Sequence, residues 1–242
     1  MKILYLEKVD STNNYLKNYS DGENEDMIVV WSDYQSAGRG CGTNHWESEY
    51  GKNLTFSILL HPRVPARHQF ILSMANAMAL RDTLSQYTSG ISIKWPNDIY
   101  WGDKKICGTL IESSLSGSAI KDCIIGTGIN VNQQQFFSDA PNPVSLKQII
   151  GKEVDRKELL DQVVASLGHY LDRIAEDDWM SIRESYRSHL YRKNEVHSYR
   201  YPDGREKQFK MIDVSNDGHL LLQHPDNLHV ESFAFKEIQF VI

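Results

Sequence analysis

From Ser36 to Gly51 the chain carries four glycines and almost no hydrophobic periodicity. Segments of strand character flank it, residues 27–33 (MIVVWSD) before and Asn53–His61 after. A long patternless loop between strands is uncommon in a compact domain unless it is functional or disordered. Whatever this chain folds into must therefore hold an extended glycine-rich loop against a sheet.

The rest of the sequence supplies the sheet and its cover. Residues 3–7 read as a short strand, and Asp10-Ser11-Thr12-Asn13 offers local N-caps for a helix near 12–19. Apolar residues at helical spacing run from Pro65 to Tyr87: Phe70, Met74, Ala77, Met78, Leu80 and Leu84. Ile91, Ile93 and Trp95 alternate as in a half-buried strand. Asp98–Trp101 and Lys105–Ser113 flank Gly102-Asp103 as a hairpin, and 119–132 pairs back through Ser116-Gly117-Ser118. Helices fill 155–190, with one stripe through Leu159, Leu160, Val163, Val164, Leu167, Tyr170, Leu171 and Ile174. After about Arg192, Pro202-Asp203-Gly204, Asn216-Asp217-Gly218 and Pro225-Asp226-Asn227 punctuate short β segments, the pattern of a small barrel. At 242 residues, one main domain plus this appendage fits the length.

Composition is globular, with 40% hydrophobic and 24% charged residues. The net charge of −6 comes entirely from the part before Arg183, and neither part has the concentrated positive surface of a nucleic-acid binder. No apolar run nears the roughly 18 residues of a membrane span, and Glu7 and Asp10 interrupt any signal-peptide core. Cys41, Cys107 and Cys123 make no disulfide framework, so a reducing cytoplasm is the expected setting. His219, His224 and His229 lie evenly in the turn-rich region but lack partners at zinc spacing.

Four segments can carry chemistry. Gln35–Gly42 sets glycines beside Arg39, so main-chain amides and a guanidinium can approach an anion, although the loop is neither a Walker loop nor a dinucleotide fingerprint. In Lys94-Trp95-Pro96-Asn97-Asp98, proline stops a strand where two oxygen-bearing side chains follow, suiting a divalent cation, a ribose or a plain turn. Lys105 heads an apolar strand, either at an exposed start or pointing inward toward an anion; alternation puts it on one face with Cys107, Thr109 and Ile111. Gly126 and Gly128 interrupt a strand, marking close approach by a ligand or backbone, or a bulge.

The order of these motifs is more specific than any one of them. Asp-Ser-Thr-Asn, Gln-x-Ala-Gly-Arg-Gly, Trp46-x-Ser48 with Gly51-x-Asn53-Leu54, Lys-Trp-Pro-Asn-Asp, Lys-x-x-Gly-x-Leu-x-Glu and Gly-x-Gly-Ile-Asn follow one another in sequence. Together they resemble the biotin protein ligases, most strongly over residues 5–132. The resemblance implies an α+β catalytic domain, 1–184, with a mixed sheet and helices like class II aminoacyl-tRNA synthetases. A small SH3-like β-barrel, 185–242, follows.

The activity it implies is an ATP-dependent ligase acting with Mg²⁺. Biotin becomes biotinyl-5′-AMP and then passes to a lysine of a biotin carboxyl carrier protein. No enzyme nucleophile is needed. Carried over by motif, Ser11, Thr12 and Gln35 hold the ureido ring, Asn13 and Gly38 also bind biotin, and Gly108, Gly126 and Gly128 line the valeryl chain. Arg39, Gly40 and the backbone at Cys41, with Lys105, meet carboxylate and phosphate, Arg39 and Lys105 being the catalytic pair. Trp46 caps the pocket, Asn97 and Asn130 with Arg39 and Trp46 serve the nucleotide, and Asp98 serves the metal. Two departures stand out. Cys41 occupies a position where many relatives carry Arg or Gln, and only ten residues precede Ser11, leaving no room for the DNA-binding domain of the repressor-type ligases. The resemblance allows a homodimer. A lipoate ligase or octanoyltransferase, or a non-catalytic biotin or nucleotide binder, are the rival readings.

Overall fold

Burial along β3 (Leu54–Leu60) shows how the first layer is built, because every residue of that strand is buried. Successive strand side chains point to opposite faces, so a strand buried throughout must be covered on both. Leu54, Phe56, Ile58 and Leu60 enter the main core, while Leu59 joins a smaller cluster with Leu16, Ile28, Val30 and Ile124. The strand belongs to a seven-stranded sheet in this computed structural model, which describes residues 1–19, 25–42, 44–137 and 142–242.

The other strands are β1 (Lys2–Val9), β2 (Met27–Gln35), β4 (Ile91–Lys94), β5 (Asp98–Trp101), β6 (Lys104–Ser116) and β7 (Ala119–Ile129). Their order is β1-β2-β3-β7-β6-β5-β4, with β1 parallel to β2 and every other pair antiparallel. The sheet is mixed, as expected. Helix α1 (Thr12–Lys17) covers one face, and α2 (Phe70–Leu84), α4 (Arg156–Ala175) and α5 (Trp179–Ser188) cover the other. The apolar spacing read from Pro65 to Tyr87 falls on α2, which is buried almost all round because α4 and α5 pack on it as well as the sheet. A further helix, α3 (Leu146–Ile150), was not expected. Its signature was present: Ser145 and Gln148 form a capping box, and Gly151 ends the helix at φ 77°.

Strands β8 (Val196–Arg200), β9 (Glu206–Val214), β10 (Leu220–Gln223), β11 (Val230–Phe233) and β12 (Gln239–Phe240) form a second, antiparallel sheet. The three turn signals separate β8 from β9, β9 from β10 and β10 from β11. Its order, β11-β10-β9-β8-β12, is consistent with an SH3-like unit but corrects the closed barrel expected. The two end strands, of four and two residues, do not pair with each other, and strands so short supply little ladder for closure. This sheet is seated on the first. Trp95 Nε1 donates to Gly218 O at 2.9 Å, and Arg187 Nε to Val214 O at 3.0 Å. Gly218, at φ 96°, lies so close to the Phe70 ring that a Cβ there would sit 2.6 Å from it.

Candidate functional site

The site lies on the α1 face of the seven-stranded sheet. At its inner end, Gln35 closes β2 and its Oε1 accepts from Thr12 N (2.7 Å) and lies 3.1 Å from Thr12 Oγ1. Sequence pattern suggested that the α1 amides would be capped locally. Ser11 does sit in extended N-cap geometry, but its side chain makes no cap bond, and the distant Gln35 supplies the acceptor instead. Ser57 Oγ, on the facing strand, lies 2.7 Å from Thr12 Oγ1 and donates to Asn13 Oδ1 at 2.5 Å. Asn13 Nδ2 donates to Glu112 Oε2 (2.9 Å). Glu112 Oε1 also takes Lys17 Nζ at 2.7 Å and Arg39 at 3.0 Å. Burial alone would raise the Glu112 carboxyl, but the bonds from Lys17, Asn13 and Arg39 outweigh it and hold it below the usual carboxylate range.

Glycines floor the groove. Gly126 pairs with Ser57 and Leu110, and Gly128 with Thr55 and Gly108, so three glycines share one face across β6 and β7. A Cβ at Gly126 would lie 1.9 Å from Asn13 Oδ1, and one at Gly128 would lie 2.1 Å from the Trp46 ring. Close approach, not flexibility, is the reason for glycine here. Trp46 rests on Gly108 and Gly128, and among the described residues its buried Nε1 has no partner.

Lys105 is where simple alternation failed. The β5–β6 register shifts between Ile99 and Tyr100, placing Cys107 opposite Ile99 but Lys105 opposite Tyr100. That bulge turns Lys105 away from Cys107 and Thr109, which face the main core and α2, and toward the glycine floor. Its Nζ lies 3.0 Å from where a Gly108 Cβ would be, and 2.7 Å from Asp98 Oδ2. Of the open readings, the inward-pointing one holds. Asn97 turns to Ser73 on α2 (3.2 Å), and Asn130 to the Lys105 carbonyl (3.4 Å), so both brace the Lys105 end through the scaffold.

The glycine-rich loop is itself a small hairpin. Trp46 N donates to Gly38 O, and Gly40 N to Asn44 O, so the Gly40 amide is already committed. Gln133 ties the loop's far end down, accepting from Glu49 N and Asn53 Nδ2 and donating to Glu47. Cys41 is partly exposed, Thr43 lies outside the described residues, and Lys236 from the second sheet reaches the tip, 2.9 Å from where a Gly42 Cβ would be.

The structure thus gathers Ser11, Thr12, Asn13, Gln35, Gly126 and Arg39 at one end and Lys105, Gly108, Gly128, Trp46 and Asp98 at the other. It does not bring Arg39 to Lys105. Glu112, which holds Arg39, lies four residues along β6 from Gly108, roughly 13 Å away at the rise of a strand. Ser57 and Glu112 were not singled out from sequence. Ser57 could have been, as a hydroxyl within a strand otherwise reading as buried and apolar. Cys107 and Cys123 are buried, and burial pushes both thiols up, Cys123 to about 11, so neither is a ready nucleophile. Among the described residues no three His, Cys, Asp or Glu are grouped to hold a metal ion, and no helix is long and apolar enough to cross a membrane. An open cavity of about 490 Å³ beside Trp31 and Arg156 lies on the opposite face of the sheet.

The chain is 31% identical over 167 residues to the bifunctional ligase/repressor BirA of Bacillus subtilis, covering 67% of this chain and 51% of that protein. It therefore spans about half the length of the BirA relatives that it matches. It is 29% identical over 188 residues to the biotin–[acetyl-CoA-carboxylase] ligase of Paracoccus denitrificans, covering 75% of this chain and 78% of the other. The biotin protein ligase of Aquifex aeolicus, solved in complex with biotin and ATP, superposes with a TM-score of 0.81 at 26% identity, over 99% of both chains. The model of the biotin/lipoate A/B protein ligase family matches residues 5–130, just over half of the sequence. The chain belongs to that family.

Proposed function

We propose that the chain is an ATP-dependent biotin ligase that forms biotinyl-5′-AMP and passes the biotinyl group to a lysine of a biotin carboxyl carrier protein. The observation that carries this reading is the continuous string Gln35–Thr12–Ser57–Asn13 beside a glycine floor that leads to Lys105. A neutral ring that both donates and accepts hydrogen bonds suits the string, and an apolar chain suits glycines with an indole above them. A carboxylate at the chain's far end suits the lysine ammonium.

In the first step a carboxylate oxygen attacks the α-phosphorus, the acyl–O–P bond forms and pyrophosphate leaves. Two anions must meet, and Lys105, released from Asp98 by the incoming charge, would offset their repulsion. Arg39 would join it by exchanging Glu112 for the ligand's anions as the loop closes. In the second step the carrier amine attacks the acyl carbon and AMP leaves with the bonding pair, so the protein positions rather than reacts. Mg²⁺ enters with ATP as substrate, with the Asp98 carboxylate beside Lys105 to meet it. Residues 1–184 form the catalytic unit and 185–242 a second unit that reaches the loop through Lys236. The setting is the cytoplasm, and a homodimer is an allowed assembly.

The test is pyrophosphate exchange into ATP with biotin, lipoate or octanoate as the acid. Exchange that requires biotin is expected. A folded chain showing no exchange with biotin, or faster exchange with lipoate or octanoate, overturns the assignment.

A further inference from the structure

Glu112 touches three separate elements, and the chemistry of its contacts fixes more than its own position. An ionised carboxylate can only accept hydrogen bonds, whereas an amide has one accepting and one donating end. The Asn13 atom 2.9 Å from Glu112 Oε2 must therefore be the amide nitrogen, which leaves Oδ1 facing Ser57 and Gly126. Oδ1 takes the Ser57 proton and keeps a second lone pair. Ser57 Oγ, its proton spent, accepts the Thr12 hydroxyl proton at 2.7 Å in preference to Gln35 at 3.1 Å, and the Thr12 backbone N–H, 2.7 Å away, fixes Gln35 Oε1. The Gln35 nitrogen is then left on the loop side, 3.5 Å from where a Gly38 Cβ would be.

We infer that Glu112 is a positioning residue that sets the hydrogen-bond polarity of Asn13 and, through Ser57, of the Thr12 hydroxyl, so that Asn13 offers an acceptor, beside the donor that the Thr12 backbone leaves on Gln35, to a ligand edge carrying N–H beside C=O. The inference rests on the biotin reading, since a ureido edge has that pattern. Lys17 and Arg39 hold the carboxylate ionised, which keeps it acceptor-only. Asn13 and Thr12 are each less than 5% exposed, so water cannot easily substitute for a wrongly turned amide. Glu112→Gln keeps the size and both contact atoms but can donate as well as accept. It removes the polarity while leaving the packing.

Two measurements separate this inference from the biotin reading. In ligand-free protein, the Asn13 side-chain amide resonances should shift with pH as Glu112 titrates below the usual carboxylate range, and in Glu112→Gln that shift should vanish. Calorimetry should then show biotin bound about tenfold more weakly by Glu112→Gln, with the apparent KM for ATP within twofold and thermal stability retained. Discrimination against an analogue with one ureido N–H replaced by oxygen should narrow by a similar factor, and Glu112→Asp should recover part of it. Unchanged biotin affinity and discrimination in Glu112→Gln overturns the inference, as does an Asn13 amide blind to pH. A wild-type chain with the pH response but no biotin binding overturns the biotin reading and leaves the orienting role of Glu112 standing.

Discussion

The two ends of the groove are built on different principles. At the ring end, Thr12, Asn13, Gln35, Ser57 and Glu112 fix one another on strands and a helix, leaving one Asn13 lone pair and the Gln35 nitrogen for a ligand. At the Lys105 end the parts are borrowed: Lys105 is paired with Asp98, the Gly40 amide with Asn44, and Trp46 covers the glycines, its Nε1 without a partner among the described residues. A neutral ring can be read by a network that is oriented beforehand. A pair of anions cannot, because an array of unpaired buried cations would itself be unstable without them. The ring end should therefore be preformed and the anion end assembled by substrate.

The sharpest way to break this comparison is Lys105→Ala. Because its Nζ lies over the glycine floor where the two anions meet, adenylate formation should fall by about 10³-fold, while biotin affinity falls far less. Rapid-quench measurement of adenylate beside calorimetry checks it, and equal losses in both would erase the division. Gly126→Ala should show the converse. Its Cβ would collide with Asn13 Oδ1, so biotin binding should weaken about a hundredfold, roughly 2.7 kcal/mol, with KM for ATP little changed. Cys41→Arg adds charge at the loop tip, where Lys236 is already present, and should slow adenylate release by about tenfold. Equal release rates would mean that only the loop's backbone matters.

The smallest effect expected is that of pH. Glu112 is held below its usual range in the folded chain, so its contribution is fully present above the unfolded carboxylate value and is lost as pH falls through the folded one. Biotin affinity should stay flat across mildly acidic pH and decline only below the ordinary Glu range. A decline already near neutrality would place the sensitive group elsewhere.

Much of this was legible in the sequence, and the exceptions have definite causes. The hairpins around Gly102-Asp103 and Gly117, the second sheet's turns and the α4 stripe follow from local chemistry, and the structure repeats them. The two-period of a strand gave the wrong face for Lys105 because one bulged residue inverts the alternation, and a register shift leaves no local mark. The α1 N-cap falls at Ser11, among the candidates read from sequence, but the cap bond comes from Gln35, which is distant in sequence and close only once β1 and β2 pair. Glu112 stood in a motif, yet its meaning depends on Lys17, Asn13 and Arg39, which the fold alone assembles around it.

The most direct test of the split between a preformed and an assembled end is the order in which the unmodified chain takes its two substrates. Calorimetric titration should show biotin binding with no nucleotide present, and ATP binding at least tenfold more tightly once a non-reactive biotin analogue fills the groove. ATP binding equally well to the empty chain and to the analogue-filled chain would contradict the account.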